Sequence, residues 1–256
     1  MSVIKFYDIY KQDKSLHSRF IKELKKHLFK TDFILGKSVN IFEDNFSKFT
    51  NSKFSIGCAN GTDALYLALK CLNLPKNSEV IVPAMTWIST VLSIINNNLK
   101  PVLVDVGKND ALISLKDIKQ KINKRTKVIL PVNLYGNVVD INEVKKIIGK
   151  KKIFIIEDSA QAHGAKDNLG NNIGKYSDLS CYSFYPGKNL GCYGDGGMIT
   201  TNNIKYYNKL IKMRNLGAKK KHEHDEIGVN SRLDSIQATL LNIKIKKLTE
   251  LNLKRK

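Results

Sequence analysis

Lys188 is the one cation in the segment SFYPGKNLGCYGDGG (residues 183–197), set among glycines, aromatic rings and a proline in a chain otherwise rich in lysine. A loop of that make-up, directly after an apolar run, predicts a confined and partly apolar setting in which desolvation favours the neutral amine. A neutral lysine is a nucleophile toward aldehydes. A second segment, FIIEDSAQAHGA (residues 154–165), ends an apolar run on Glu157 and Asp158 and continues into a polar turn with Gln161 and His163. A carboxylate at the end of a buried strand is costly unless paired. Set against a protonated ring nitrogen, Asp158 would be compensated and would hold that ring as an electron sink; the alternative is that it caps the following turn. In ANGTDALYLAL (residues 59–69), Gly61 and Thr62 stand where a strand turns into a helix, a place that suits a phosphate. Thr62 as a mere helix cap, with Gly61 easing the turn, is the competing reading. Trp87, the only tryptophan, follows a strand at PAMTW and could stack on a planar ring or belong to the core.

Other polar clusters carry less. His222 and His224 in KKHEHDE have no further ligand at metal spacing, so no metal site is expected. Asp195 in GDGG reads as a residue that fixes the glycine-rich turn behind the lysine. The cysteines, Cys58, Cys71, Cys181 and Cys192, form no CxxC pair, and their surroundings point to reduced, buried thiols in a cytoplasmic chain.

These segments need elements to position them. Seven short apolar runs, at residues 53–59, 79–84, 101–106, 127–133, 152–158, 179–184 and 197–201, read as buried strands. Helical patterns at 62–73, 87–97, 114–122 and 140–148 alternate with them. That alternation predicts an α/β fold with a mostly parallel central sheet and helices on both faces. Amphipathic helices are expected at 14–29 and 231–253. In an open sheet of this kind the ligand sits at the carboxyl ends of the strands, and each polar cluster follows a strand, so four segments should converge on one crevice.

With 42% hydrophobic residues in 256, the chain can bury a sizeable core. The formal charge of +20 raises nucleic acid as a partner, but only five of the 43 basic residues are arginine. Arginine supplies the bidentate contacts that such readers favour, so no nucleic-acid partner is expected, whereas an anionic small molecule suits the field. The N-terminus lacks the apolar core of a signal peptide and no apolar run reaches membrane-spanning length, so no membrane association is expected.

Taken together, GTDAL, EDSAQAHGA, SFYPGKNLG followed by YGDGG, and GVNSRLDSIQA (residues 228–238) resemble the DegT/DnrJ/EryC1/StrS family of nucleotide-sugar aminotransferases that depend on pyridoxal phosphate. The resemblance implies the large domain of a fold type I transferase, with an N-terminal helical segment over 1–30, the cofactor-binding α/β domain over 31–230, and a helix over 231–256 leading toward a small C-terminal domain that is largely missing. It implies Lys188 as the Schiff-base lysine, Asp158 as the partner of the pyridinium nitrogen, Gln161 near the cofactor's 3-oxygen and Trp87 on the opposite face. Gly61, Thr62 and Ser183 would hold the phosphate. Asn230 would reach the phosphate of the neighbouring subunit, which makes the chain a homodimer. His163 would lie toward the substrate or serve as a structural hydrogen-bonding group. The implied reaction moves an amino group from an amino acid, glutamate in this family, to a keto sugar on a nucleotide diphosphate; the form of the lysine loop leans toward 3-keto sugars. Because relatives continue into the smaller domain, the 256-residue form is expected to bind pyridoxal phosphate with weak or absent turnover, or to act as a non-catalytic or regulatory partner of a full-length relative.

Overall fold

The computed structural model describes residues 8–255; Lys256 and the first seven residues of the expected 1–30 segment lie outside the described residues. Seven strands form one sheet: β1 (Phe54–Cys58), β2 (Glu79–Pro83), β3 (Lys100–Val104), β4 (Thr126–Ile129), β5 (Phe154–Asp158), β6 (Leu179–Ser183) and β7 (Gly197–Thr201), in the order β1-β7-β6-β5-β4-β2-β3. The pairs among β2 to β6 are parallel, and β7 runs antiparallel to both of its neighbours. The expected mostly parallel sheet is therefore present, with β7 the one reversed strand. That reversal has a use: β7 begins at the edge where the other strands end, so the loop from β6 to β7 stays at that edge.

The helices are α1 (Ile9–Asp13), α2 (His17–Lys30), α3 (Lys37–Thr50), α4 (Gly61–Cys71), α5 (Ile88–Ile95), α6 (Leu115–Lys121), α7 (Ile141–Ile148), α8 (Ile204–Met213), α9 (Ser235–Lys244) and α10 (Leu248–Leu253). Strand side chains alternate between the two helical layers, as period-2 geometry requires. Cys181, Ile199 and Ile156 join a core with Leu65, Leu69 and Leu210 from α4 and α8. Tyr182, Phe184 and Met198 face the other way, onto Val39, Phe42 and Phe46 of α3 and Ala238 and Leu241 of α9. Farther along that second face, Ile81, Ile129 and Ile155 meet Ile118, Val144 and Ile148 of α6 and α7. Each large apolar side chain so buried contributes about 2 kcal/mol.

Two helices escaped the sequence reading. In α3 the apolar positions Val39, Phe42 and Phe46 keep helical spacing, but charged and amide residues between them dilute the pattern. In α8 only Leu210 and Met213 are buried. The single helix expected over 231–253 is instead α9, a 3-10 turn at Ile245–Lys247, and α10. Residues before Ser235 are extended, because Asp234 bridges to Ile34 and the Ser235 N–H donates to the Phe33 carbonyl at 2.9 Å. The turn follows from burial of both Ile245 and Leu248, three residues apart, a spacing that a 3-10 turn places on one face. Likewise the helix expected over 14–29 is preceded by α1 and a 3-10 turn at Lys14–Leu16.

Two buried ion pairs hold the flanking helices, one against the sheet and one to each other. Arg214, just after α8, pairs with Glu43 of α3 and donates to the Gly57 carbonyl at 2.8 Å, while Glu43 accepts the Gly57 N–H at 2.8 Å. Lys244 of α9 meets Asp13 of α1 at 2.8 Å with both side chains buried. Removing one member of such a pair strands the other charge. Glu43→Ala is expected to lower unfolding free energy by about 3 kcal/mol in urea titrations; a loss no larger than that of an exposed substitution would contradict the structural role given to the pair.

Candidate functional site

Four strand ends build the site. After β1, Asn60 is extended at the N-cap of α4 and its side chain accepts the Asp63 N–H at 2.8 Å. Asn60, not Thr62, is therefore the cap. Thr62 is left in the first turn with its hydroxyl donating to Ser89 Oγ at 2.8 Å, which removes the capping alternative. Gly61 lets this helix end meet β6: a Cβ there would lie 2.6 Å from the Ser183 Cβ. After β2, Trp87 is the N-cap residue of α5 and is 74% exposed, so it is no core tryptophan. Asp158 ends β5 and Gln161 follows it. After β6 comes Lys188, whose N–H donates to the Tyr185 carbonyl at 2.8 Å in a tight turn.

A cavity of about 740 Å³ gathers these ends: Gly61, Thr62, Trp87, Asp158, Gln161, Ser183 and Lys188 all line it, together with Asp195. Lys188 is the single cation among its lining residues. Burial holds the Lys188 amine below the usual lysine range, and the Asp158 charge opposes that shift. Asp158 is buried, which pushes its carboxyl up; the Thr90 hydroxyl, the Ala160 N–H and the Lys188 charge pull the other way. Its Oδ2 accepts from Thr90 Oγ1 at 2.8 Å and its Oδ1 from the Ala160 N–H at 3.2 Å. Asp158 thus does brace its own turn while still facing the cavity, so the two readings of this residue are compatible. The neighbouring Glu157 points to the opposite face and accepts from Asn133 Nδ2, the Gly174 N–H and Ser177 Oγ, a structural acid with no part in the cavity. Gln161 is oriented by the Tyr135 N–H, which donates to its Oε1 at 2.9 Å.

Two expected residues lie elsewhere. His163 lines an adjoining cavity of about 780 Å³ that shares Lys188 and Gln161 with the first. Its ring is buried between Tyr182 and Phe184, neither ring nitrogen has a hydrogen-bond partner, and burial with the nearby Lys188 charge holds its pKa at about 3, opposed by the Ser183 backbone. It is a neutral ring there, not a cation. Asn230 is exposed in a third hollow of about 310 Å³, with Arg232 and with Asp195, which also lines the first cavity. His224 lies in a short hairpin with its Nδ1 3.0 Å from the Leu216 carbonyl. No cluster of three metal-ligating side chains occurs among the described residues, nor is any helix among them long and apolar enough to cross a membrane. All four cysteines are free and buried, and burial pushes the Cys71 thiol up to about 11. Thr90 was missed from the sequence: the signal was a threonine inside the apolar stretch of α5, one turn beyond Trp87.

The fold is that of fold type I transferases that use pyridoxal phosphate. The chain belongs to the DegT/DnrJ/EryC1/StrS aminotransferase family, whose model matches residues 14–256. It is 38% identical over 237 residues to a pleiotropic regulatory protein of Geobacillus stearothermophilus, covering 93% of this chain and 63% of that protein. It is likewise 38% identical over 237 residues to a UDP-N-acetyl-3-dehydro-alpha-D-glucosamine 3-aminotransferase of Acidithiobacillus ferrooxidans, covering 93% of this chain and 64% of that protein. The solved structure of S. venezuelae DesV in complex with a ketimine intermediate superposes with a TM-score of 0.94 at 34% identity, covering 98% of this chain and 67% of that one. The chain therefore spans under two thirds of the length of these two curated relatives.

Because the Thr90 hydroxyl favours the ionised form of Asp158, Thr90→Val is expected to move the Asp158 titration further upward. Carbon-13 carboxyl NMR of the two proteins across pH checks this; an unmoved or lowered Asp158 titration would contradict it.

Proposed function

We propose that this chain binds pyridoxal phosphate and takes part in moving an amino group from an amino acid, glutamate being the expected donor, to the keto group of a sugar carried on a nucleotide diphosphate. The observation that carries the reading is a partly desolvated amine and a buried carboxylate, Lys188 and Asp158, lining one cavity with the N-terminus of α4. The donor set fits the cofactor. Gly61, whose missing side chain lets α4 approach Ser183, together with Thr62 and Ser183 offers N–H and hydroxyl groups at a positive helix end for a phosphate. Asp158, whose ionised form Thr90 and Ala160 favour, would be the partner for a ring nitrogen, and Trp87 and Gln161, which line the same cavity, would flank the ring. When bound, pyridoxal phosphate supplies an aldehyde and an electron-withdrawing ring that delocalises charge from a substrate carbon.

The chain's own residues supply the rest. Lys188 Nζ, its proton affinity lowered by burial, accepts a proton from the donor's α-carbon in one half-reaction and delivers one to the sugar carbon in the other. Thr90 and the Ala160 N–H keep Asp158 aimed and favour its ionised form against the effect of burial. His163, neutral and walled by Tyr182 and Phe184, shapes the side of Lys188 away from Asp158. Asn230 serves the partner subunit's phosphate in a homodimer; what supports this is its exposure in a hollow that adjoins the cavity at Asp195 while Asn230 itself does not line that cavity.

Transfer is tested by incubating the chain with pyridoxal phosphate, nitrogen-15 glutamate and a panel of nucleotide keto sugars headed by a 3-keto sugar, with mass spectrometry of the sugar products. Slow incorporation of nitrogen-15 into a sugar, lost in Lys188→Ala, is the expected result. Absence of label from every sugar in the panel would contradict the proposal.

A further inference from the structure

The loop that carries Lys188 is held at two points. Below, Leu190 is fully buried in the core shared with Leu248 of α10. Above, the side chain of Asn189 is engaged by the same helix: Asn189 Nδ2 donates to Asn252 Oδ1 at 2.8 Å, and Asn252 Nδ2 donates to the His163 carbonyl at 2.7 Å. Asn252 therefore spans the two segments that bring Lys188 and Gln161 to the cavity, one bond to each.

The direction of this relay is fixed at both ends. Arg255, which can only donate, gives a hydrogen bond to Asn189 Oδ1 at 3.1 Å. The His163 carbonyl can only accept. Between a pure donor and a pure acceptor, each amide has one consistent orientation, so Asn189 and Asn252 must both pass the bond on in the same sense. An aspartate at 252 would lack the donor for His163, and an alanine would lack both groups. Space for the contact is made by Gly164 at φ +81°, where a Cβ would stand 3.1 Å from Asn252 Nδ2 and 2.9 Å from the Phe49 ring.

We propose that Asn252 is a positioning residue for the proposed reaction: its side-chain amide clasps the Lys188 loop to the turn after β5 and so fixes where the lysine amine stands. This rests on the reading of Lys188 as the reacting amine. The titratable groups that line the two cavities with that amine are Asp63, Asp158, His163, Asp195, Tyr135, Tyr185 and Arg255. Burial is the larger influence on Lys188 and Asp158 the lesser. A loosened loop hydrates the amine, and the loss of desolvation outweighs the weakened attraction to Asp158, so the amine becomes more basic. Anchoring of α10 itself does not depend on Asn252, because Leu248 is fully buried.

The test is competitive acetylation of the full chain across pH, read at Lys188 by mass spectrometry and normalised to its own alkaline plateau. In Asn252→Ala the midpoint is expected to move upward, with normalised labelling at neutral pH falling about threefold, as a shift of about half a pH unit would give. Asn189→Ala, which leaves the bond to the His163 carbonyl intact, is expected to move the midpoint the same way. The double variant should go no further than either single one, since all three lose the same bond. A midpoint equal to wild type in either single variant that still unfolds cooperatively, or additive shifts in the double, would overturn the proposal. The readout needs no cofactor, so a failed clasp and a failed assignment of Lys188 as the reacting amine give different results.

Discussion

The opposition of charge between Asp158 and Lys188 is the constraint to which the rest of the structure answers. Burial disfavours charge on both groups, yet each charge favours the other. Neither a fully solvated nor a fully dry setting would serve: water would return the amine to its ordinary basicity, and complete burial would neutralise the acid. The sheet resolves this by ending β5 and β6 at one edge with a cavity between them, so that the acid is buried among polar partners and the half-buried amine lines the same cavity. Thr90 then supports the ionised acid, and the reversed strand β7 keeps the lysine loop at that edge.

Much of this was legible in the sequence because it depends on local signals. Strand runs ending in polar turns located all seven strands, and the glycine and proline around Lys188 marked its loop. The lining of one cavity by seven of the nine singled-out residues follows from the parallel sheet, which sends every such turn to the same edge. What the sequence did not disclose depends on tertiary packing. Asn60 displaced Thr62 as the cap because the backbone at Asn60 is extended, a property set by how β1 ends. Thr90 meets Asp158 across 68 residues of chain, and no spacing rule anticipates such a contact. The break between α9 and α10 reflects the need to bury both Ile245 and Leu248.

The helices outside the α/β alternation also bear on the site. Gln237 of α9 clasps Tyr193, in the loop after Lys188, through its backbone: the Tyr193 N–H donates to Oε1 at 2.9 Å and Nε2 donates to the Tyr193 carbonyl at 3.0 Å. The Tyr193 hydroxyl reaches Asp13, which is paired with Lys244. With the Asn252 bonds, α1, α9 and α10 form a brace around the glycine-rich segment, adding to the buried contacts of Leu190 and Cys192. A glycine-rich loop that must present one lysine accurately needs restraint from outside itself.

The central claim is that Lys188 is the amine that meets pyridoxal phosphate in this cavity. The most direct measurement is the absorption spectrum of the chain with added pyridoxal phosphate, followed by borohydride reduction and peptide mass spectrometry, in wild type and Lys188→Ala. The account predicts a visible band in wild type alone and a reduced pyridoxyl adduct at Lys188. An adduct spread over surface lysines, or a band that persists in Lys188→Ala, would contradict it.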